Sequence, residues 1–146
     1  MSLNMNDLKK YPVKFKQKVA WGDMDAFGHV NNVMYYRYME SARIHYFERL
    51  NILNSDVGTV VASSECKYIK PVFFPDQLDI FCGVEEVRNS AFRMRYVLFS
   101  ESQQQIVAEG QAVIVCVDKL KMHKVLIPEE IKEKINILEK TVDNEY

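Results

Sequence analysis

The sequence predicts an α+β fold in which a curved antiparallel sheet of about five strands wraps around one long helix. Three observations carry this. Apolar and polar side chains alternate in the stretch that opens at Val13, and alternate again several times after Asn54. Between these regions, from Asn31 to Leu50, the apolar period changes to steps of three and four. The later alternating stretches are separated only by short turn-forming segments, and strands joined by tight turns must pair antiparallel.

The elements follow in order. In "VKFKQKVAW", Val13, Phe15, Val19 and Trp21 face one way and Lys14, Lys16 and Lys18 the other, a half-buried strand. Tyr35, Tyr38, Met39, Ala42, Tyr46, Phe47 and Leu50 then form one stripe of a helix about 30 Å long. Either Asn31 or Asn32 can cap it, because a short side-chain oxygen accepts an orphan N–H of the first turn. The next strand places Val60, Ala62, Cys66 and Tyr68 on one face. "PVFFPD" interrupts it, since two closely spaced prolines exclude a central strand. Leu78, Ile80, Cys82 and Val84 alternate in the following strand, and "RNSA" turns the chain. Phe92, Met94, Tyr96 and Leu98 mark the next strand, and after "SESQQQ" a long, mostly apolar strand spans Ile106–Val117. Pro128 opens a short closing helix with Ile131, Ile135 and Leu138 on one side. One long helix and one sheet leave strand edges and a second sheet face to be covered, so self-association is expected.

The 146 residues make one ordinary domain, expected to span 1–146. At 48% hydrophobic the chain can build a core and is too apolar for disorder. A net charge of −1 points to neither nucleic acid nor an anionic membrane. The longest unbroken apolar run, Ala112–Val117, is far too short to span a bilayer. The opening "MSLNMNDLKK" lacks the apolar segment of a signal peptide, and a cytoplasmic protein is expected. Residues 1–10 are expected to be flexible or partly vector-derived, with "MSL" as the vector remnant. Cys66, Cys82 and Cys116 lie far apart in predicted strands, which argues for reduced, buried side chains rather than disulfides. His29, His45 and His123 form no ligand pair with one another or with a cysteine, so no metal site is expected.

The most concentrated polarity lies where the first strand gives way to the long helix. There the sequence reads D-x-D-x-x-G-H-V-N-N-x-x-Y, from Asp23 to Tyr35, followed on the helix by E-x-A-R, Glu40 to Arg43. This pattern resembles the acyl-CoA thioesterases of the hot-dog fold, in the branch that includes 4-hydroxybenzoyl-CoA thioesterase. "YIKPVFFPDQLDI" is similar to that family's strand, proline-bearing bend and next strand. The resemblance implies a hot-dog domain in which the sheet encloses the helix, two subunits join their sheets, and active sites form where they meet, in a dimer or tetramer. It implies an acyl-CoA substrate hydrolysed without metal or organic cofactor, coenzyme A entering only as part of the substrate. By position in the motif, it assigns the catalytic carboxylate to Asp25 and the best oxyanion donor to the backbone N–H of Asn32 or a neighbour.

The chemistry is independently reasonable. A thioester expels a thiolate, whose conjugate acid has a pKa near ~8.5, so no strong general acid is needed. One carboxylate and one oxyanion donor suffice without a Ser–His–Asp triad. Asp25 can attack the carbonyl to form a mixed anhydride, or deprotonate a water. The first N–H groups of a helix lack intrahelical partners and carry the positive end of its dipole. Gly28 lets backbone approach the substrate closely, or simply makes a turn. His29 can position water or contact the acyl group, or be a loop histidine with one satisfied hydrogen bond. Asn31 is a cap or a substrate contact. Asp23 is expected to hydrogen-bond the loop's own backbone, and Glu40 to pair with Arg43 at i,i+3. Tyr35 belongs to the core stripe, part of which can line an acyl tunnel. Lys67, Lys70, Arg88, Arg93 and Arg95 are the candidates to hold the phosphates of coenzyme A. Two other functions fit the same fold. One is a non-catalytic module that binds acyl-CoA, which Asp25 argues against. The other is a dehydratase or hydratase, for which the expected partner motif is missing.

Overall fold

The computed structural model describes residues 4–143. The strands are β1 (Val13–Lys18), β2 (Val57–Tyr68), β3 (Gln77–Val87), β4 (Ala91–Ser100) and β5 (Gln105–Asp118). Helix α1 (Asn32–Leu50) follows β1, and helix α2 (Glu129–Asp143) follows β5. All five strands form one sheet in the order β1-β3-β4-β5-β2, and every neighbouring pair is antiparallel. Alternation in β3 and β4 places Leu78, Ile80, Cys82, Met94, Tyr96 and Leu98 on the face that α1 covers. The predicted stripe of α1, from Tyr35 to Leu50, is buried throughout.

The side chain of Met39 reaches from the helix to β5 at Gly110. A Cβ on Gly110 would collide with the sulfur of Met39 and stand 2.9 Å from the Glu65 carbonyl oxygen, so only glycine fits at this crossing. Helix α2 closes the end of the sheet with Ile131, Ile135, Leu138 and Val142 buried. Its Glu139 accepts a hydrogen bond from the Val84 N–H at 3.0 Å and another from the Tyr46 hydroxyl. β1 stops pairing at Cys82, so Val84 would otherwise expose an unpaired strand donor, and Glu139 satisfies it. Ile135 is fully buried, and its truncation to Ala should cost about 2–5 kcal/mol.

Two expectations need correction. Trp21 does not continue the face of β1: the chain leaves the strand after Lys18, and a 3-10 turn over Trp21–Asp23 turns the indole out to 73% exposure. In β2 a bulge at Ala62 shifts the register, so that Val61 faces Ile114 but Ser63 faces Val113. Cys66 and Tyr68 therefore stand opposite Gly110 and Ala108, on the core side, while Val60 stands opposite Val115 on the other side. At the start, Met5–Lys10 form a 3-10 helix capped by Asn4, with Leu8 buried. Met1–Leu3, expected to be vector-derived, lie outside the described residues.

Candidate active site

The segment between β1 and α1 folds as a small closed loop. Met24 and Val30 pair in an isolated antiparallel bridge. Beyond them the Asp25 N–H donates to the His29 carbonyl at 2.9 Å, and the Gly28 N–H returns to the Asp25 carbonyl at 3.1 Å. Gly28 has φ +89°, a conformation that L side chains rarely adopt, while the space around it is open. The turn therefore demands glycine for its backbone and not for room within the chain.

Asp23 anchors this loop. Its Oδ2 accepts the Ala20 N–H at 3.0 Å and the Tyr38 hydroxyl at 2.6 Å, and its carbonyl accepts the Asn31 N–H at 3.0 Å. Tyr38 is buried on the second turn of α1, so this carboxylate ties loop to helix. Burial, reinforced by Asp23, raises the Tyr38 phenol well above its ordinary value and keeps the donor protonated. On the other side the Val30 N–H donates to the Val72 carbonyl at 2.8 Å, joining the loop to the proline-bearing bend.

Asp25 stands at the base of the loop. Its Oδ1 accepts the Phe27 N–H at 2.8 Å, an Asx-type turn, and its Oδ2 is 3.9 Å from His29 Nδ1. The Asp25 side chain is 28% exposed, accessible to a substrate without being fully solvated. The His29 ring meets Phe73 edge-on at 6.0 Å. Asn31 is the N-cap of α1, its Oδ1 accepting the Val33 N–H at 3.1 Å. The Asn32 N–H, one residue earlier in that turn, has no acceptor among the described residues. Asp25, Gly28, His29, Asn31 and Asn32 are thus gathered at one helix end.

Tyr35 is buried, and the loss of solvation raises its phenol to about 12. Tyr68, which the sequence pattern assigns only to a strand face, reaches this end too. Its hydroxyl donates to the Asn32 carbonyl at 3.1 Å, and its ring stands perpendicular to Tyr35 with centroids 4.8 Å apart. The signal available in the sequence was its place at the end of a strand just before Pro71. Exposed aromatic side chains, Trp21, Phe27, Tyr36, Phe73 and Phe74, surround the loop.

The basic candidates divide. Lys67 and Lys70 flank Tyr68, with Lys67 opposite Glu109 and the Lys70 N–H on the Val107 carbonyl. Arg88 and Arg93 lie near the other end of α1, where Phe92 packs against Phe47, and both pair with Glu86, at 3.4 and 2.6 Å. Arg95 pairs with Glu85 at 3.4 Å. Glu40 lies on the surface, 4.0 Å from both Arg37 and Arg43. No group of three or more His, Cys, Asp or Glu among the described residues is placed to hold a metal ion. No helix among them is long and apolar enough to cross a membrane.

Comparison with known proteins places this geometry in context. The family model of the Thioesterase-like superfamily matches residues 19–135. The fold is similar to that of a thioesterase from Thermus thermophilus solved in complex with coenzyme A and Zn. That match is 32% identical with a TM-score of 0.81, covering 89% of this chain and 96% of the other. The long-chain acyl-CoA thioesterase FadM of Escherichia coli (strain K12) is 28% identical over 123 residues, covering 81% of this chain and 92% of FadM. The acyl-CoA thioester hydrolase YbgC of Escherichia coli O6:H1 is 28% identical over 131 residues, covering 85% of this chain and 92% of YbgC.

Proposed function

Because the chain belongs to the Thioesterase-like superfamily and is a thioester hydrolase, we propose that it hydrolyses acyl-CoA to a carboxylic acid and free coenzyme A, with Asp25 as its catalytic carboxylate. One observation carries the reading: Asp25 is held at the base of a loop that leads directly into a helix whose Asn32 N–H has no acceptor among the described residues.

The thioester carbonyl oxygen sits against the first turn of α1, and its developing negative charge is stabilised by the Asn32 N–H and the helix dipole. In one route an Asp25 oxygen bonds to the carbonyl carbon, the C–S bond breaks, and the thiolate leaves to take a proton from water. A water molecule then cleaves the mixed anhydride. In the other, Asp25 removes a proton from water as that water bonds to the carbon, and the proton is passed to the departing sulfur. Both routes consume one water and use no metal or organic cofactor. His29, beside Asp25, is suited to orient the water, and Asn31 holds the turn that presents the N–H. Lys67 and Lys70 fit the phosphates better than Arg88 and Arg93, which are engaged by Glu86 in the other half of the molecule.

A second subunit completes the site in this reading. β2 is an edge strand of 12 residues with one side unpaired; Val61 on it and Val33 and Tyr36 at the start of α1 are exposed. A dimer, or a tetramer of such dimers, would cover them. The protein works in the cytoplasm, where Cys66, Cys82 and Cys116 stay reduced.

The test is free-thiol release from short, medium, long and aromatic acyl-CoAs, with Asp25→Asn alongside. Hydrolysis by the wild type that collapses in the variant supports the reading. Equal rates would remove Asp25 from the chemistry. Binding of acyl-CoA without turnover would replace the enzyme with a binding module.

A further inference from the structure

An oxyanion donor is effective only if it is held where the charge will develop, so that it does not have to move during the reaction. The first turn of α1 is packed only in part: Asn32 and Val33 are exposed, Met34 is half-buried against the core, and the first fully buried side chain is Tyr35. The loop grips this turn from one side through Asp23 and the Asn31 cap. On the sheet side, Tyr68 touches it.

We infer that Tyr68 is the positioning residue for the oxyanion-binding end of α1, fixing the first turn of the helix to the sheet through its hydroxyl and ring. The inference rests on the function proposed above and adds to it a residue outside the loop motif. The Tyr68 hydroxyl donates to the Asn32 carbonyl at 3.1 Å, on the same residue whose N–H lacks an acceptor among the described residues. The ring meets Tyr35 at 90° and 4.8 Å, one helical position past the first turn. The backbone behind Tyr68 is itself anchored. Tyr68 is the last residue of β2, paired with Ala108, and the next two N–H groups, of Ile69 and Lys70, both donate to the Val107 carbonyl at 2.9 and 3.0 Å. The position of the central strands is thus passed through one phenol to the helix end. Loss of solvation, together with Cys66 and Tyr36, pushes that phenol well above its ordinary value, so it remains a donor across the neutral range. Tyr68 does not meet the reacting atoms in this account. It acts through Asn32.

Tyr68→Phe keeps the ring and removes the hydroxyl, so the fold and its Tm should stay at wild-type values. The expected result is a fall in kcat of about 3–10-fold, the loss of one hydrogen bond, with KM little changed. Carbonyl polarisation separates positioning from a general structural effect. In an Asp25→Asn background the bound thioester survives, and the infrared stretch of an acyl-CoA carrying ¹³C at its thioester carbonyl reports the donor directly. The acyl-CoA used is the one the wild type turns over best. Binding should shift the stretch to lower frequency, and adding Tyr68→Phe should bring it part of the way back toward the value for free acyl-CoA. Wild-type kcat in Tyr68→Phe, an effect on KM alone, or an unchanged stretch would overturn the role of Tyr68. Failure of the wild type to hydrolyse any acyl-CoA, or full activity of Asp25→Asn, would instead overturn the function on which it rests.

Discussion

The two ends of α1 are built on opposite principles. At the C-terminal end, Asn51 takes the left-handed conformation with φ 56°, its N–H returns to the Glu48 carbonyl, and the Ile52 N–H returns to the Phe47 carbonyl. Two of the last four carbonyls are taken up by the chain itself, and Phe47, Leu50 and Ile52 pack in the apolar core there. At the N-terminal end the Asn31 cap satisfies Val33 but leaves the Asn32 N–H open, and the surrounding Trp21 and Phe27 are exposed, Phe27 to 85%. One end is finished for stability. The other is left with polar capacity and apolar surface open to solvent, a ligand or a second subunit.

Substitutions at the two ends should therefore fail differently. The largest effect is expected at Asp25. Asp25→Asn should lower kcat by about 10²–10⁴-fold while leaving Tm near wild type, measured by thiol release and thermal unfolding. Loss of activity through unfolding would refute the division between the ends. Tyr38→Phe should affect both quantities, because it removes the buried donor that ties Asp23 to the helix. We expect a loss of about 1–2 kcal/mol in unfolding free energy and a several-fold fall in kcat. At the sealed end, Asn51→Ala should cost about 1 kcal/mol by removing the short polar side chain that tolerates the left-handed region better than alanine does, a fall in Tm of about 2–4 °C, with kcat unchanged. A change in kcat there would show that the two ends are not independent. Lys70→Ala should raise KM for acyl-CoA a few-fold and leave KM for thioesters that lack the nucleotide unchanged.

The smallest effect is alkaline. Burial raises the Cys66 thiol from 9.0 to about 11, and Tyr35 beside it from 10.0 to about 12. The folded state therefore keeps protons that the unfolded chain has already lost. Their contribution to stability is complete below pH 9 and is lost as pH rises from there through about 11 and 12. Cys66→Ala should flatten the part of the Tm–pH curve between 9 and 11. An unchanged slope would show that Cys66 titrates like a solvent-exposed thiol.

Much of this molecule is legible from its residue pattern. The first halves of β3 and β4 alternate cleanly because there one face meets the core and the other is more open, whereas β4 from Tyr96 to Ser100 is buried on both faces; α1 shows its stripe because it is buried against the sheet along its length. Trp21 and Ala62 mislead for the same physical reason. Each lies where the backbone leaves a regular path, into a 3-10 turn or a bulge, and side-chain periodicity carries no information about such departures. Asp25, Gly28, His29 and the two asparagines could be grouped because they are adjacent in sequence. Tyr68 could not, since its partner Asn32 is 36 positions away and the contact depends on how β2 and α1 are brought together. Arg88 and Arg93 resembled Lys67 and Lys70 as charges; their separation from the loop belongs to topology alone.

Gly110 extends this point beyond the active loop. Because its missing side chain leaves room for the Met39 sulfur on one side and the Glu65 carbonyl of β2 on the other, residue 110 acts as a shim does between two plates. A single methyl group there would displace the end of the Met39 side chain and press on the Glu65 carbonyl of the neighbouring strand. A position that carries no charge and no hydrogen-bonding side chain in this way constrains how β2, the strand that ends in Tyr68, lies against β5. Attempts to redesign the enzyme for new acyl groups should treat that strand as part of the alignment, and keep it constant while the loop and its aromatic surroundings are varied.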